Sequence, residues 1–216
     1  MAKVIGVMGE SGSGKTTAMR GLDPAVTYYF DCDKKGLNWK GWKNQYNTEA
    51  KNYMVSDDFM TVDKVLHNIN DNAPHIKFIV IDTLNALMVA EEMRILRMTA
   101  GDKRSAWSDL AQNGWALLDL CLTLREDLTV ILLCHSETIS DDNGLMRTRI
   151  KTNGRKLEKL VLESKMTTVV WAVRQNGKYK FVLSADGSTC KMPMGAFETD
   201  ECDNDIMIVI KALEEF

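Results

Sequence analysis

The sequence predicts an α/β fold with a mostly parallel central sheet, helices on both faces and a β-hairpin towards the C-terminus. Two observations support this prediction. Apolar runs of strand length alternate along the chain with longer segments of helical pattern. The first apolar run also leads directly into a glycine-rich loop, where a helix is expected to begin. With 216 residues, 45% of them hydrophobic, the chain can bury a full core, so residues 1–216 are expected to form a single domain.

The expected strands are short apolar segments spread over the whole chain. They are residues 4–8, 26–31, 77–82, 129–134 and 168–174, followed by a hairpin of residues 178–183 and 188–192. The clearest helical pattern covers residues 105–126, and a shorter one covers residues 207–215. Residues 138–154 are polar and contain the turn sequence Asp-Asp-Asn-Gly, which predicts a flexible segment.

The glycine-rich loop matches the phosphate-binding pattern G-x-x-x-x-G-K-[ST] at every fixed position. Its residues are Gly9, Glu10, Ser11, Gly12, Ser13, Gly14, Lys15 and Thr16, and Thr17 follows. Glycines allow the backbone to curl so that its N–H groups point at phosphate oxygens. Lys15 can then reach the β- and γ-phosphates, and the Thr16 hydroxyl can ligate Mg²⁺. The loop therefore predicts binding of a nucleoside triphosphate, expected to be ATP, together with Mg²⁺.

An acidic residue, Asp82, ends the apolar run of residues 78–82. A carboxylate at the end of a buried strand beside a phosphate-binding loop can hold Mg²⁺ through a water molecule. Thr16 and Asp82 are therefore the predicted metal-binding residues. The alternative for Asp82 is that it caps the helix expected at residues 85–93.

Hydrolysis of a bound nucleotide needs a further carboxylate that orients the attacking water. Asp31 and Asp33 lie just past a strand that is expected to neighbour the strand of the phosphate-binding loop. Either acid is a candidate for this role. The alternative is a turn in which the acids balance the charges of Lys34 and Lys35.

Composition excludes several classes of protein. The formal net charge is −3, so the chain as a whole does not attract nucleic acid, and any such binding requires a local patch. The five cysteines are widely spaced and never form C-x-x-C, which argues against a disulfide framework or a zinc site. No apolar run approaches the roughly 20 residues that a membrane span requires. We therefore expect a cytoplasmic protein that does not bind membranes.

The strongest local charge lies in the segment 147–159. Its basic residues are Arg147, Arg149, Lys151, Arg155, Lys156 and Lys159, opposed only by Glu158. A patch of this kind can follow a phosphodiester backbone, which responds to local charge. The alternative is a solvated helix face.

Taken in chain order, residues 9–17, 30–33, 78–87 and 130–135 resemble the core landmarks of RecA-like recombinase ATPases. The sequence is most similar to compact phage ATPases of single-strand annealing and recombination, which are AAA family ATP-binding proteins. The resemblance covers residues 3–213. It implies a slow, DNA-stimulated ATP hydrolase that binds single-stranded DNA and assembles as a homo-oligomeric ring or filament. It also implies a bacterial or phage-infected cytoplasm and contact with other recombination or single-strand-binding proteins.

The resemblance assigns roles to further residues. Asp33 stands where the family has a glutamate that polarises water. The side chain at this position is therefore shorter here by one methylene group. His135 follows the strand 129–134, where the family places a polar sensor of the γ-phosphate. The basic segment 147–159, with Arg147, Arg149, Lys151, Arg155 and Lys156, matches the family's DNA-binding loop. The helix that follows this loop in the family would be residues 154–163 here. Lys191 lies where the fold places basic residues that reach the nucleotide of a neighbouring subunit.

Two other functions share the phosphate-binding loop. A nucleoside monophosphate kinase would use the later basic segment as a lid over phosphates, and Asp31 and Asp33 would grip a sugar hydroxyl. A non-hydrolysing nucleotide switch would follow if Asp33 were too short to act on water.

Overall fold

The computed structural model describes residues 1–99, 103–140, 144–153 and 161–216, without the side chains of Lys103 and Arg104. Within these ranges, nine strands form one sheet. They are β1 (Lys3–Gly9), β2 (Thr27–Asp31), β3 (Tyr53–Val55), β4 (Phe78–Asp82), β5 (Thr129–Ser140), β6 (Met146–Ile150), β7 (Thr168–Gln175), β8 (Lys178–Val182) and β9 (Glu201–Asp203). The α-helices are α1 (Trp42–Gln45), α2 (Phe59–Asn72), α3 (Leu84–Leu96), α4 (Lys103–Thr123) and α5 (Ile206–Ala212).

The strand order is β3-β2-β4-β5-β1-β7-β8-β9, and β6 pairs with the outer part of β5. All pairs from β3 across to β7 are parallel, whereas β5–β6, β7–β8 and β8–β9 are antiparallel. The predicted α/β class with a mostly parallel sheet is confirmed. At the carboxyl ends of the strands, Gly9 of β1 pairs in register with His135 of β5, and Asp31 of β2 pairs with Asp82 of β4. The carboxyl ends of these strands therefore gather the polar residues at one edge of the sheet.

Two apolar clusters cover the two faces of the sheet. The larger contains buried side chains of α2, α3 and α4, such as Leu66, Leu87 and Leu118. The smaller contains Met19 and the α5 residue Val209. In the described ranges no helix is both long and apolar enough to cross a membrane.

Several local expectations were wrong. The phosphate-binding loop is followed by a short 3-10 helix, Thr17–Gly21, and not by an α-helix. β2 does not neighbour β1, because β4 and β5 lie between them. The predicted hairpin partner at 188–192 forms no strand. Instead β8 pairs with β7 through a turn at Asn176 and Gly177, whose positive φ angles of 51° and 77° suit a two-residue hairpin.

The segment expected to be flexible also differs from the expectation. Much of residues 138–154 forms the end of β5 and the strand β6. The sequence Met-Arg-Thr-Arg-Ile alternates in burial, with Thr148 and Ile150 buried, as one half-covered strand requires. Residues 141–143 lie outside the described residues, and so do residues 154–160, which hold most of the helix expected at 154–163.

Candidate nucleotide site

The phosphate-binding loop needs glycine for backbone reasons. Gly12 and Gly14 have φ angles of 79° and 93°, a region that L-residues rarely adopt. A Cβ atom on Gly14 would lie 2.9 Å from the ring of Tyr179, and one on Gly9 would lie 2.6 Å from a backbone oxygen of Ala172. The loop encloses a cavity of about 510 Å³ at the carboxyl end of β1.

Lys15 is folded back onto its own loop. Its Nζ atom donates hydrogen bonds to the carbonyl oxygens of Gly9 and Glu10, each at 2.8 Å. Burial lowers the pKa of this ammonium, while Asp82 acts in the opposite direction. The loop is therefore wrapped around its lysine. Ser13 lies in the same cavity, and its buried Oγ has no hydrogen-bond partner among the described residues.

The predicted metal residues lie in direct contact. Thr16 Oγ1 donates to Asp82 Oδ2 at 2.7 Å, and the hydroxyl of Tyr29 donates to the same oxygen at 2.7 Å. Asp82 Oδ1 is buried and has no partner in the described part of the chain. A hydroxyl and an unsatisfied carboxylate oxygen beside a phosphate cavity suit Mg²⁺, which prefers oxygen ligands and completes its shell with water and substrate phosphates. These two residues therefore fit the metal.

Asp82 does not cap the following helix. Thr83 is the N-cap of α3 and accepts a hydrogen bond from the Ala86 N–H. The carboxylate of Asp82 remains available at the site. Burial raises its pKa, although the hydrogen bonds from Thr16 and Tyr29 work in the opposite direction.

The two candidate water-orienting acids differ in their surroundings. Asp31 is buried, and its oxygens accept hydrogen bonds from the Lys35 N–H at 3.3 Å, the Gly36 N–H at 2.7 Å and the Tyr53 hydroxyl at 2.7 Å. Both carboxylate oxygens of Asp31 are therefore occupied by hydrogen bonds that hold the turn after β2. Asp33 is 21% exposed and forms an ion pair with Lys35. Its Oδ1 also accepts a hydrogen bond from the Thr83 hydroxyl at 3.4 Å. Asp33 is nevertheless the more exposed of the two acids, which makes it the better candidate to act on water.

His135 borders two cavities. It lines the 510 Å³ cavity together with the phosphate-binding loop, and a second cavity of about 300 Å³ together with Asp33 and Asn85. Burial, followed by the charge of Lys15, lowers the pKa of the imidazole. The neutral form of the ring is therefore favoured, and this form can both donate and accept hydrogen bonds.

Asn85 was missed by the sequence analysis, which placed it only at the start of a helix. Its Oδ1 accepts from the backbone N–H of His135 at 2.6 Å, and its Nδ2 donates to the carbonyl oxygen of Lys151 at 2.8 Å. The Lys151 N–H donates in turn to the carbonyl oxygen of His135 at 2.8 Å. The three residues thus form a closed ring of hydrogen bonds.

The basic residues expected to contact DNA are not equivalent. Arg147 is exposed on β6, and Lys151 is exposed just after it. Arg149 is largely covered, because its Nε donates to Glu137 Oε1 at 2.9 Å. Arg155 and Lys156 lie outside the described residues.

Lys191 lies beside the sheet and not in a strand of its own. Its backbone exchanges two hydrogen bonds with Val169 of β7. Its role towards a neighbouring subunit stays a prediction.

The sheet and the loop together define an ATPase-type P-loop domain. The chain belongs to the AAA domain family, whose model matches residues 1–191. No curated protein matches the sequence. The resemblance to phage recombination ATPases is narrower than this family and stays a prediction.

The solved structures that are similar to the chain include the following two. One is a KaiC-like protein from the hyperthermophilic archaeon Pyrococcus horikoshii OT3, with 14% identity and a TM-score of 0.42, covering 83% of this chain and 76% of that one. The other is an ATPase from the type III secretion system of pathogenic bacteria, with 13% identity and a TM-score of 0.40. That similarity covers 79% of this chain and 52% of the secretion ATPase.

Proposed function

We propose that this protein is a Mg²⁺-dependent ATPase that engages single-stranded DNA in recombination or strand annealing. The observation that supports this most strongly is the path of β5. The strand leaves the nucleotide cavity at His135 and continues into a hairpin with β6. We call residues 136–140 and 146–151 the β5–β6 arm. A change at the γ-phosphate can therefore reach the basic residues of β6 through β5 and its pairing with β6.

The chemistry assigned to the site is hydrolysis of the terminal phosphate. Lys15 binds the β- and γ-phosphates, and Asp33 orients the attacking water. The water oxygen bonds to the γ-phosphorus as the bond to the bridging oxygen breaks, which gives ADP, inorganic phosphate and a proton. Mg²⁺, when bound at Thr16 and Asp82, neutralises charge that develops on the phosphates.

The DNA-binding role rests on the arm. Arg147 and Lys151 present exposed cations, and the hydrogen-bond ring of Asn85, His135 and Lys151 ties the end of the arm to the site. Cations on a surface of this kind bind phosphodiesters without reading their sequence. Assembly as a ring or filament, with Lys191 reaching the next subunit and with other recombination proteins as partners, belongs to the same proposal.

The kinase alternative gains less support. It would use Asp31 and Asp33 to grip a sugar hydroxyl, but both oxygens of Asp31 already accept hydrogen bonds and Asp33 is paired with Lys35.

The test is the rate of ATP hydrolysis with and without single-stranded DNA, compared with phosphate transfer to a panel of nucleoside monophosphates. We expect hydrolysis that DNA accelerates and no transfer to any monophosphate. Lys15→Ala should abolish hydrolysis while the circular dichroism spectrum stays unchanged. Phosphate transfer to a monophosphate, or normal turnover in Lys15→Ala, would contradict the proposal.

A further inference from the structure

We propose that Lys35 is a second phosphate-binding cation of this site and that it stays paired with Asp33 when no γ-phosphate is present. The inference rests on the proposed binding of ATP. In this inference, Lys35 makes the site bind ATP more tightly than ADP.

The turn after β2 fixes the position of Lys35. Asp31 accepts hydrogen bonds from the backbone N–H groups of Lys35 and Gly36, and the Tyr53 hydroxyl holds the same carboxylate. Lys34 has a φ angle of 58°, in the left-handed region. The chain therefore changes direction at Lys34, and two consecutive lysines point to different partners.

The two partners differ in their relation to the site. Lys34 Nζ lies 2.7 Å from Asp57 Oδ2, and both residues line the 300 Å³ cavity but not the cavity of the phosphate-binding loop. Lys35 forms its ion pair with Asp33, the candidate water-orienting acid. Both lysine side chains are 52% exposed, so they are matched in burial and differ in location.

Lys35 lines the same cavity as the phosphate-binding loop. The titratable groups among the described lining residues are Lys15, Lys35, His135 and Tyr179, and no carboxylate is among them. The charge of Lys35 also contributes to lowering the pKa values of Lys15 and His135, after the larger effect of burial. A polyanion in this cavity would relieve that repulsion. An ammonium on a flexible four-carbon stem can move towards it.

The exchange of partners has a consequence for catalysis. When a γ-phosphate draws Lys35 away, Asp33 loses its counter-ion and becomes free to accept a hydrogen bond from water. When only ADP is bound, the nearest strong partner of Lys35 is again Asp33. A lysine in this position therefore makes the site respond to the third phosphate.

The test measures the dissociation constants of a non-hydrolysable ATP analogue and of ADP, both with Mg²⁺, for matched variants. Lys35→Ala should weaken binding of the analogue by about tenfold and that of ADP by less than about twofold, because charge-assisted hydrogen bonds are strong. Lys35→Arg should retain most of the preference. Lys34→Ala, the matched control, should leave both constants unchanged.

A double-mutant cycle tests whether Asp33 and the γ-phosphate compete for Lys35. Asp33→Asn should tighten binding of the analogue in the parent background and should not do so in the Lys35→Ala background. If Lys35→Ala leaves the ATP-to-ADP preference at the parental value while Lys15→Ala abolishes binding, the inference fails and the proposed function stands. If the parent binds neither nucleotide, the proposed function fails as well.

Discussion

The side chain of Asn85 accepts a hydrogen bond from the backbone N–H of His135 at 2.6 Å, where β5 leaves the nucleotide cavity. The same side chain donates to the Lys151 carbonyl oxygen, at the end of the β5–β6 arm. Asn85 is buried and has Thr83 and Asp82 just before it in the chain. One amide thus links the strand end at the nucleotide cavity, the helix that follows Asp82 and the arm.

Asn85→Ala is expected to uncouple DNA binding from the nucleotide. The substitution leaves the His135 N–H and the Lys151 carbonyl oxygen without this partner, at a cost of about 1 to 3 kcal/mol in stability. DNA should still bind, but with a smaller difference between the ATP-analogue and nucleotide-free states, as measured by fluorescence anisotropy of a labelled oligonucleotide.

The control is Asn52→Ala. Asn52 is also buried and bonds through both amide atoms, to Asn47 and Gln45 in the segment before β3 and to Pro24 before β2. It should lose comparable stability and keep the nucleotide dependence. If Asn85→Ala retains the full dependence, the coupling role is wrong.

Asp33→Asn is expected to slow ATP hydrolysis by about 100-fold or more, the usual range for loss of a group that acts on the attacking water. Binding of the ATP analogue should persist, because Lys15 and Thr16 are untouched. The matched control is Asp57→Asn, which removes neighbouring ion pairs with Lys34 and Arg94 and should hydrolyse ATP at close to the parental rate. Parental turnover in Asp33→Asn would remove Asp33 from catalysis.

Asp82→Asn should change the pH dependence of stability. Burial raises the pKa of Asp82 above its usual 3.8, so the folded protein holds this proton more tightly than the unfolded chain. Stability is therefore lost as the pH rises from the unfolded pKa through the folded one, and the loss remains at neutral pH. The variant lacks this titration. The difference in Tm between the variant and the nucleotide-free parent should therefore increase with pH. The increase should be about 2 to 4 °C for each kcal/mol of unfolding free energy that the parent loses.

Asp58→Asn provides a control of opposite sign. A hydrogen bond from Thr61 lowers the pKa of Asp58, which is the N-cap of α2. Its contribution to stability is present above the unfolded pKa and lost as the pH falls. The Tm of this variant relative to the parent should therefore decrease as the pH rises. If the Tm difference between Asp82→Asn and the parent did not change with pH, burial would not raise the pKa of this carboxylate.

The salt dependence of DNA binding tests the arm. Replacing Arg147 and Lys151 together by alanine should flatten the slope of log affinity against log salt by about 0.7 for each DNA phosphate that the variant no longer neutralises. Arg149→Ala should have a smaller effect on the slope, because Arg149 is already paired with Glu137. Lys64→Ala with Lys211→Ala, which removes two exposed helix lysines, should leave the slope unchanged. An unchanged slope in the arm variant would make the arm an ordinary charged surface.

The part of the site that the sequence predicted is the part encoded locally. The phosphate-binding loop needs fixed residue types at fixed spacing, and Asp82 stands out because a buried strand ends there. Tyr29 and Asn85 carry no such signal. Tyr29 reads as one apolar residue of a strand, and only the pairing of β2 with β4 brings its hydroxyl to Asp82.

Lys34 and Lys35 show the same limit at a finer scale. In the sequence they are equivalent charges beside Asp33, and only the left-handed φ angle at Lys34 separates their directions. The helix α2 was a different kind of omission. Asp58 caps it, and its apolar residues Phe59, Val62, Leu66 and Ile69 recur at helical spacing, so the signal was present in the sequence.

The most direct test of the central claim is the affinity of the parent protein for a single-stranded oligonucleotide in three states: without nucleotide, with Mg²⁺ and ADP, and with Mg²⁺ and a non-hydrolysable ATP analogue. A nucleotide can change the arrangement of the β5–β6 arm only if the protein binds that nucleotide with a different affinity in each arrangement of the arm. We expect DNA to bind at least about tenfold more tightly with the analogue than in the other two states, a coupling of about 1.4 kcal/mol. Equal affinity in all three states would contradict the claim that the nucleotide controls the arm.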